Sequence, residues 1–383
     1  MNKMVRFFSM LVCASFSLSI EAAWTYNETT WDNKGIGSGT ISDGAWTLSA
    51  RRTAKDSQML VVWAETNTST GPSELSPMDF TVIEGGFKVV ELGKIFSILT
   101  ECKDKISELI APDCTYIKNG NGYGFEQCSK LTKVVFSPEF SPIKERMFEN
   151  CGELAVFSPS ELKVEMIPYK AFSGCGKLAT DFTFNNLVTI GDFAFDRCGS
   201  LKKIDAPKLE VISSQGFINC TNLLSVKSKS LKFLGAQAFS GCTALDFDLK
   251  DLLGSSLEFL GITNKHSKVI KESFLNCSSL KGPLVWDFPN LNPNIVHANC
   301  FYGCTSLSSV VFKTPVEEIQ SGAFASIAPG ARLFMHKEPP RMFSALAIGN
   351  KKGGPYPKIY IGGDTYDDWL EAIRADNCMI LKG

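Results

Sequence analysis

One short pattern, F-x-x-C-x-x-L, recurs along the middle of the chain and constrains the fold more than any other feature. Its eight intact copies begin with Phe and Cys at Phe125 and Cys128, Phe148 and Cys151, Phe172 and Cys175, Phe195 and Cys198, Phe217 and Cys220, Phe239 and Cys242, Phe274 and Cys277, and Phe301 and Cys304. The Cys-to-Cys steps are 23, 24, 23, 22, 22, 35 and 27 residues, and Phe324 with Ile327 continues the register. A unit this small cannot bury its apolar face alone, so consecutive units must stack and share one core.

The apolar positions within a unit are closely and regularly spaced. After Cys198 they fall at Leu201, Ile204, Leu209 and Ile212, with the turn residue Pro207 between them. This spacing favours short strands and turns, with one helical turn near each Phe and Cys, over long amphipathic helices. We therefore predict an α/β, strand-rich solenoid, capped at both ends, in which the repeated Phe and Cys form a buried structural ladder.

The units A-F-S-G-C-G-K-L at 171–178 and A-F-S-G-C-T-A-L at 238–245 resemble the BspA-type leucine-rich repeat family. The resemblance covers about Val89 to the C-terminus. It implies a curved, right-handed solenoid in a secreted or cell-surface protein that takes part in adhesion or protein–protein contact, without common catalytic residues. The 35-residue step departs from the family pattern, and we expect an insertion around residues 252–271 to project as a loop.

The ends of the chain lack the repeat and predict four segments. Lys3 and Arg6 precede an apolar run over residues 7–20, which is typical of a signal peptide at 1–23 and is shorter than the roughly 20 residues of a membrane span. We predict a β-rich N-terminal cap at 24–88, the solenoid at 89–340, and a terminal coil with a C-terminal cap helix at 341–383. The mature protein should be exported and have no transmembrane segment.

The chain contains 13 Cys but only 3 His. We expect the eight ladder thiols to be free and buried, because disulfides between neighbouring coils would require the same specific S–S geometry at every step along the core. For the four cysteines outside the ladder, Cys102, Cys114, Cys300 and Cys378, the sequence leaves disulfides open. A Cys102–Cys114 bond is one alternative. No C-x-x-C pair is present, and we predict no metal site and no cofactor.

Catalysis and nucleic-acid binding are disfavoured by the composition. The three His are His266, His297 and His336, and none lies in a hydrolase or metalloprotease motif. The formal net charge of −1 supplies no basic field for nucleic acid. We therefore predict that the protein is not an enzyme.

Binding requires an exposed surface, and one basic strip is a candidate. Six lysines fall at polar positions of consecutive units: Lys202, Lys203, Lys208, Lys227, Lys229 and Lys232. The alternative is a solvated face that keeps the solenoid soluble. We predict a secreted or cell-surface module that binds a protein or glycan, and the alternative function is a structural scaffold or spacer of the cell envelope.

Overall fold

A computed structural model describes residues 23–34, 36–64, 68–93, 95, 99–118, 124–246, 250–253, 256–262, 272–338, 340–344, 347–348, 357–361 and 380–382. The predicted signal peptide and C-terminal cap helix, Cys378, His266 and most of the predicted insertion lie outside these residues.

The described part of the chain is built almost entirely from short strands. The first thirteen are β1 (Thr25–Trp31), β2 (Gly37–Ser42), β3 (Thr47–Arg52), β4 (Met59–Trp63), β5 (Ser76–Asp79), β6 (Lys88–Leu92), β7 (Ile106–Ile110), β8 (Tyr116–Ile117), β9 (Lys133–Val135), β10 (Val156–Ser158), β11 (Met166–Ile167), β12 (Phe182–Thr183) and β13 (Thr189–Ile190). The others are β14 (Lys203–Asp205), β15 (Val211–Ile212), β16 (Ser225–Lys227), β17 (Phe233–Gly235), β18 (Phe259–Ile262), β19 (Leu284–Trp286), β20 (Ile295–Val296), β21 (Ser309–Phe312), β22 (Glu318–Ile319), β23 (Arg332–Met335), β24 (Met342–Phe343), β25 (Lys358–Ile361) and β26 (Ile380–Lys382). Helical structure in these residues is limited to α1 (Lys250–Leu253) and two 3₁₀ helices (Glu84–Gly86 and Thr100–Cys102).

Most regular coils contribute two strands, and within each sheet a strand pairs in parallel with its equivalent in the next coil. The first strands form the sheets β10-β9-β7-β5, β12-β14-β16 and β19-β21-β23-β25-β26, whose outward surface we call face A. The second strands form the run β4-β6-β8 and the sheets β11-β13-β15-β17-β18 and β20-β22-β24, whose outward surface we call face B. The predicted strand-rich solenoid is thereby confirmed.

The parallel pairing starts before residue 89, where the sequence prediction placed the first coil. Leu60 of β4 already lies opposite Val89 of β6, because the apolar run of β4 continues face B toward the N-terminus. Strands β1 to β4 pair antiparallel, so β1 to β3 lie outside the coils. These three strands form a β-rich N-terminal part of the described chain.

The repeated Phe residues form one continuous column through the core. Nine rings stack from Phe125 to Phe324, with centroids 5.3–5.9 Å apart and interplanar angles of 2–14°. Backbone bonds follow the same column, since the Phe195 N–H donates to the Gly216 carbonyl and the Phe217 N–H to the Ala238 carbonyl, both at 2.9 Å. The Phe side of the coil is therefore held from coil to coil much as the two strand sides are.

The repeated Cys residues serve as hydrogen-bond donors. Each thiol from Cys151 to Cys304 donates to the carbonyl of the repeat Phe in the preceding coil, at 2.9–3.2 Å. Cys220, for example, donates to the Phe195 carbonyl at 2.9 Å. Burial raises the pKa of the Cys151 and Cys304 thiols to about 12, so they remain protonated donors at neutral pH.

The turn that carries the Phe and Cys is closed by i→i+3 bonds and contains left-handed residues. Around Phe217, Gln215 and Asn219 both have a φ of 59°. The next coil has Gly241 at the position of Asn219, with a φ of 76°, and a Cβ on Gly241 would lie only 2.5 Å from the Asn219 Oδ1. The expected helical turn is thus a pair of tight turns, because residues on both sides of the Phe leave the right-handed helical region.

The three described cysteines outside the ladder are also buried and free. Cys102 and Cys114 form no disulfide with each other, which decides against the bond that the sequence left open, and Cys300 is unpaired as well. The Cys114 thiol donates to the Tyr116 carbonyl at 3.3 Å, two residues along the chain. These residues fill apolar positions of the coils, as Cys commonly does in cores.

Candidate functional site

The structure divides the six lysines of the candidate strip between different sides of the coil. All six are exposed. Lys202, Lys203 and Lys227 lie on or beside the first strands, on face A. Lys208 and Lys229 lie in the loops that join face A to face B, and Lys232 directly precedes β17 on face B.

Two of these lysines have local partners. Lys208 donates to the Asn186 side-chain oxygen at 3.0 Å, and Lys232 forms an ion pair with Glu210 at 3.0 Å. Within the described ranges, no acidic side chain lies at ion-pair distance from Lys202, Lys203 or Lys227. The basic surface is therefore a patch on face A that extends onto the adjoining corner, rather than one strip of six.

An apolar row crosses face B and was missed from the sequence. Five outward positions are in register on consecutive strands: Met166, Thr189, Val211, Phe233 and Phe259. Met166 is 51% exposed and Phe259 is 40% exposed, and the Phe233 and Phe259 ring centroids lie 6.2 Å apart. The sequence signal for this row was two apolar residues in succession, as in Val211-Ile212, because a half-exposed strand normally alternates apolar and polar residues.

A largely charged rim borders this row. The residues that directly precede the five strand positions are Glu165, Val188, Glu210, Lys232 and Glu258. Glu210 is engaged with Lys232, which leaves the rim with an excess of negative charge. Face B therefore combines a mainly apolar centre, interrupted by Thr189, with a polar border, as protein interfaces do.

A second cluster lies on the Phe side of the coils, where Tyr169 and Phe193 pack edge to face at 6.2 Å. The Lys170 ammonium lies 5.5 Å from the centre of the Tyr169 ring and forms an ion pair with Glu149 at 2.9 Å. Burial alone would raise the pKa of Glu149, but hydrogen bonds from Lys170 and Arg146 lower it below its usual value. The hydrogen bond to Glu149 raises the pKa of Lys170. These charges stabilise the coil surface and are already partnered.

The two histidines in the described ranges lie apart from each other. His297 is buried, while His336 accepts a hydrogen bond from the Glu338 backbone N–H at 3.1 Å. No cluster of three or more His, Cys, Asp or Glu side chains in this part of the protein has the geometry to hold a metal ion. No helix among the described residues is long and apolar enough to cross a membrane.

Comparison with known families finds the BspA type leucine rich repeat region, in six copies, at residues 97–179, 158–257 and 253–332. Together these matches span more than half of the chain. No curated protein matches the chain.

Three solved structures are similar to this chain. The leucine rich repeat protein of T. pallidum is 19% identical over 52% of this chain and 87% of its own, with a TM-score of 0.31. A leucine rich cell surface protein of Faecalibacterium prausnitzii is 16% identical over 89% of this chain and 99% of its own, with a TM-score of 0.36. The pneumococcal vaccine antigen PcpA is 13% identical over 90% of this chain and 99% of its own, also with a TM-score of 0.36.

Proposed function

This chain belongs to the BspA-type leucine-rich repeat family, and from that premise we propose that it is an exported or cell-surface module that binds a protein or a glycan. The family is typically non-catalytic, and we propose that this chain acts by binding without catalysis. The export signal at residues 1–23 stays a prediction.

The apolar row on face B carries the proposal. Side chains that point away from the core, four of them apolar, continue this row over five strands. A contiguous exposed apolar surface with a charged border is typical of an interaction site on a soluble protein. The aromatic residues Phe233 and Phe259 are the side chains that we expect to contribute most to affinity.

The lysines on face A and its corner form a second part of the proposed surface. Exposed ammonium groups that form no ion pair in the described part of the chain attract an acidic partner and raise its association rate, and this attraction weakens as salt is added. We propose that Lys202, Lys203 and Lys227 contribute in this way, together with Lys208 and Lys229 at the corner. Lys232 belongs to the border of the face B row, where Glu210 neutralises it.

The test is capture of extracellular partners by the immobilised chain. A panel of matrix proteins and a printed glycan array would be probed with the wild type, with Phe233→Ser/Phe259→Ser, and with Lys202→Ala/Lys203→Ala/Lys227→Ala. A matched control, Lys177→Ala, removes an exposed lysine outside the proposed surfaces. We expect capture by the wild type and the control, and at least a tenfold loss for the face B variant with an unchanged circular dichroism spectrum.

A scaffold function is the second candidate, and the uninterrupted stack of nine Phe rings favours it because such a column makes a stiff spacer. The binding and scaffold functions predict different results in the capture test and in cells that lack the protein. If the wild type captures nothing from either panel, and cells that lack the protein show only envelope defects, the binding proposal is wrong and the scaffold is favoured.

A further inference from the structure

A groove with a mixed polar and apolar lining lies at the corner between face A and face B. Its volume is about 420 Å³, within the roughly 300–1,000 Å³ typical of ligand pockets. Loops from three consecutive coils form its walls, and the lining residues are Pro138, Glu139, Ser158, Pro159, Ser160, Glu161, Leu162, Lys163 and Asn185.

A long corner loop forms part of the groove. The loop between β10 and β11 covers the seven residues 159–165, whereas the loop between β14 and β15 covers the five residues 206–210. Its base is fixed to the next coil, since the Thr183 N–H donates to the Ser160 carbonyl at 3.0 Å and the Leu162 N–H to the Thr183 carbonyl at 3.3 Å. The two extra residues therefore form a wall that is held in place by backbone bonds.

The polar groups of the lining are those that bind hydroxyl groups. Two carboxylates accept hydrogen bonds, the Asn185 amide both donates and accepts, and the hydroxyls of Ser158 and Ser160 do the same. Lys163 forms an ion pair with Glu139 across two coils. Glu161 is exposed and has no ion-pair partner among the described residues, so its oxygens are available to a ligand.

The charge and the apolar residues of the groove restrict the ligand further. Glu139 and Glu161 against Lys163 give the lining a net charge of −1, which disfavours phosphate, sulfate and carboxylate ligands. Pro138 and Pro159 add an apolar surface, and Leu162 is buried beneath it. A pyranose ring matches this combination, because it has one apolar C–H face and a rim of hydroxyl groups.

We propose that this groove binds an uncharged sugar, a hexose or an N-acetylhexosamine, within a surface glycan. The inference rests on the proposed binding function and gives it a glycan subsite. Glu161 and Asn185 bind sugar hydroxyls, and the side chains of Pro138 and Pro159 pack against the ring. The open corner lets a longer glycan continue past the bound unit.

The experiment uses the full chain and a glycan array that carries neutral, sialylated and sulfated glycans, followed by titration with methyl glucoside, methyl galactoside and N-acetylglucosamine. The groove variants are Glu161→Ala and Asn185→Ala. The matched controls are Glu101→Ala and Asn222→Ala, which remove an exposed carboxylate and an exposed amide elsewhere. Circular dichroism checks that each variant is folded.

We expect neutral glycans to bind, and each groove variant to weaken binding about tenfold while the controls bind like the wild type. The proposal is overturned if sialylated or sulfated glycans bind better, if the groove variants match the controls, or if no glycan binds. In the last case, continued capture of a matrix protein would leave the proposed function standing. Loss of capture from both panels would reject both.

Discussion

Replacement of Phe217 by Ala removes one ring from the middle of the Phe column. Phe217 is fully buried and lies 5.4 Å from Phe195 and 5.3 Å from Phe239, with interplanar angles of 3° and 7°. Removing a buried Phe costs about 3–5 kcal/mol, and two stacked contacts of about 0.5–1.5 kcal/mol each place the loss near the upper end. We therefore expect the free energy of unfolding to fall by about 5 kcal/mol.

The measurement is guanidinium unfolding of the full chain under reducing conditions, followed by far-UV circular dichroism. Because a long repeat array need not unfold in one step, native-state hydrogen exchange of the amides in the adjoining coils supplies a local measurement. The control is Phe259→Ala, which removes a ring of the same size that is 40% exposed on face B. We expect the control to cost less than about 1 kcal/mol. Equal losses for Phe217→Ala and Phe259→Ala would refute the assignment of the repeat Phe to the core.

Three further changes test the column and its turns. Cys220→Val keeps an apolar side chain but removes the donor to the Phe195 carbonyl, so we expect a loss of about 1 kcal/mol, against about 3 kcal/mol or more for Cys220→Asp. Gly241→Ala should lower the free energy of unfolding by about 1–2 kcal/mol, because φ is 76° and the new Cβ would lie 2.5 Å from the Asn219 Oδ1. The control Gly199→Ala should lower it less, because its Cβ would meet only ordinary van der Waals contacts. Burial raises the pKa of the Cys151 and Cys304 thiols in the folded chain, so their contribution to the free energy of unfolding is fully present below the thiol pKa of the unfolded chain, about 8.5. Above that pH the free energy of unfolding falls by about 1.4 kcal/mol per pH unit for each such thiol. A denaturation midpoint that stays constant from pH 8 to pH 10 would contradict buried, protonated thiols.

The spacing of the repeat was sufficient to predict the coil and its inward residues. Phe217, Cys220 and Leu223 recur at fixed distances from their equivalents, and a side chain at one position of every coil has only its equivalents to pack against. All three are fully buried in the structure. The local sequence pattern and the stacked architecture agree in this part of the chain, so the fold could be predicted there.

Features that depend on contacts between coils could not be predicted. The hydrogen bond from the Cys220 thiol to the Phe195 carbonyl joins residues 25 positions apart, and the spacing of the repeat does not predict it. The same holds for the groove, because Glu139, Glu161 and Asn185 meet only once three corner loops are stacked. The first parallel strand, β4, was assigned to the cap because its coil lacks the Phe and Cys that mark the others.

The free, inward-facing thiol ladder is the central claim, and the accessibility of its cysteines tests it most directly. The chain would be treated with iodoacetamide at pH 8, natively and in guanidinium, and each cysteine followed by mass spectrometry. We predict that the eight repeat cysteines, Cys128 to Cys304, stay unlabelled in the native protein over the time that labels all of them in the unfolded chain. Rapid native labelling of these residues, or disulfides among them, would contradict the account.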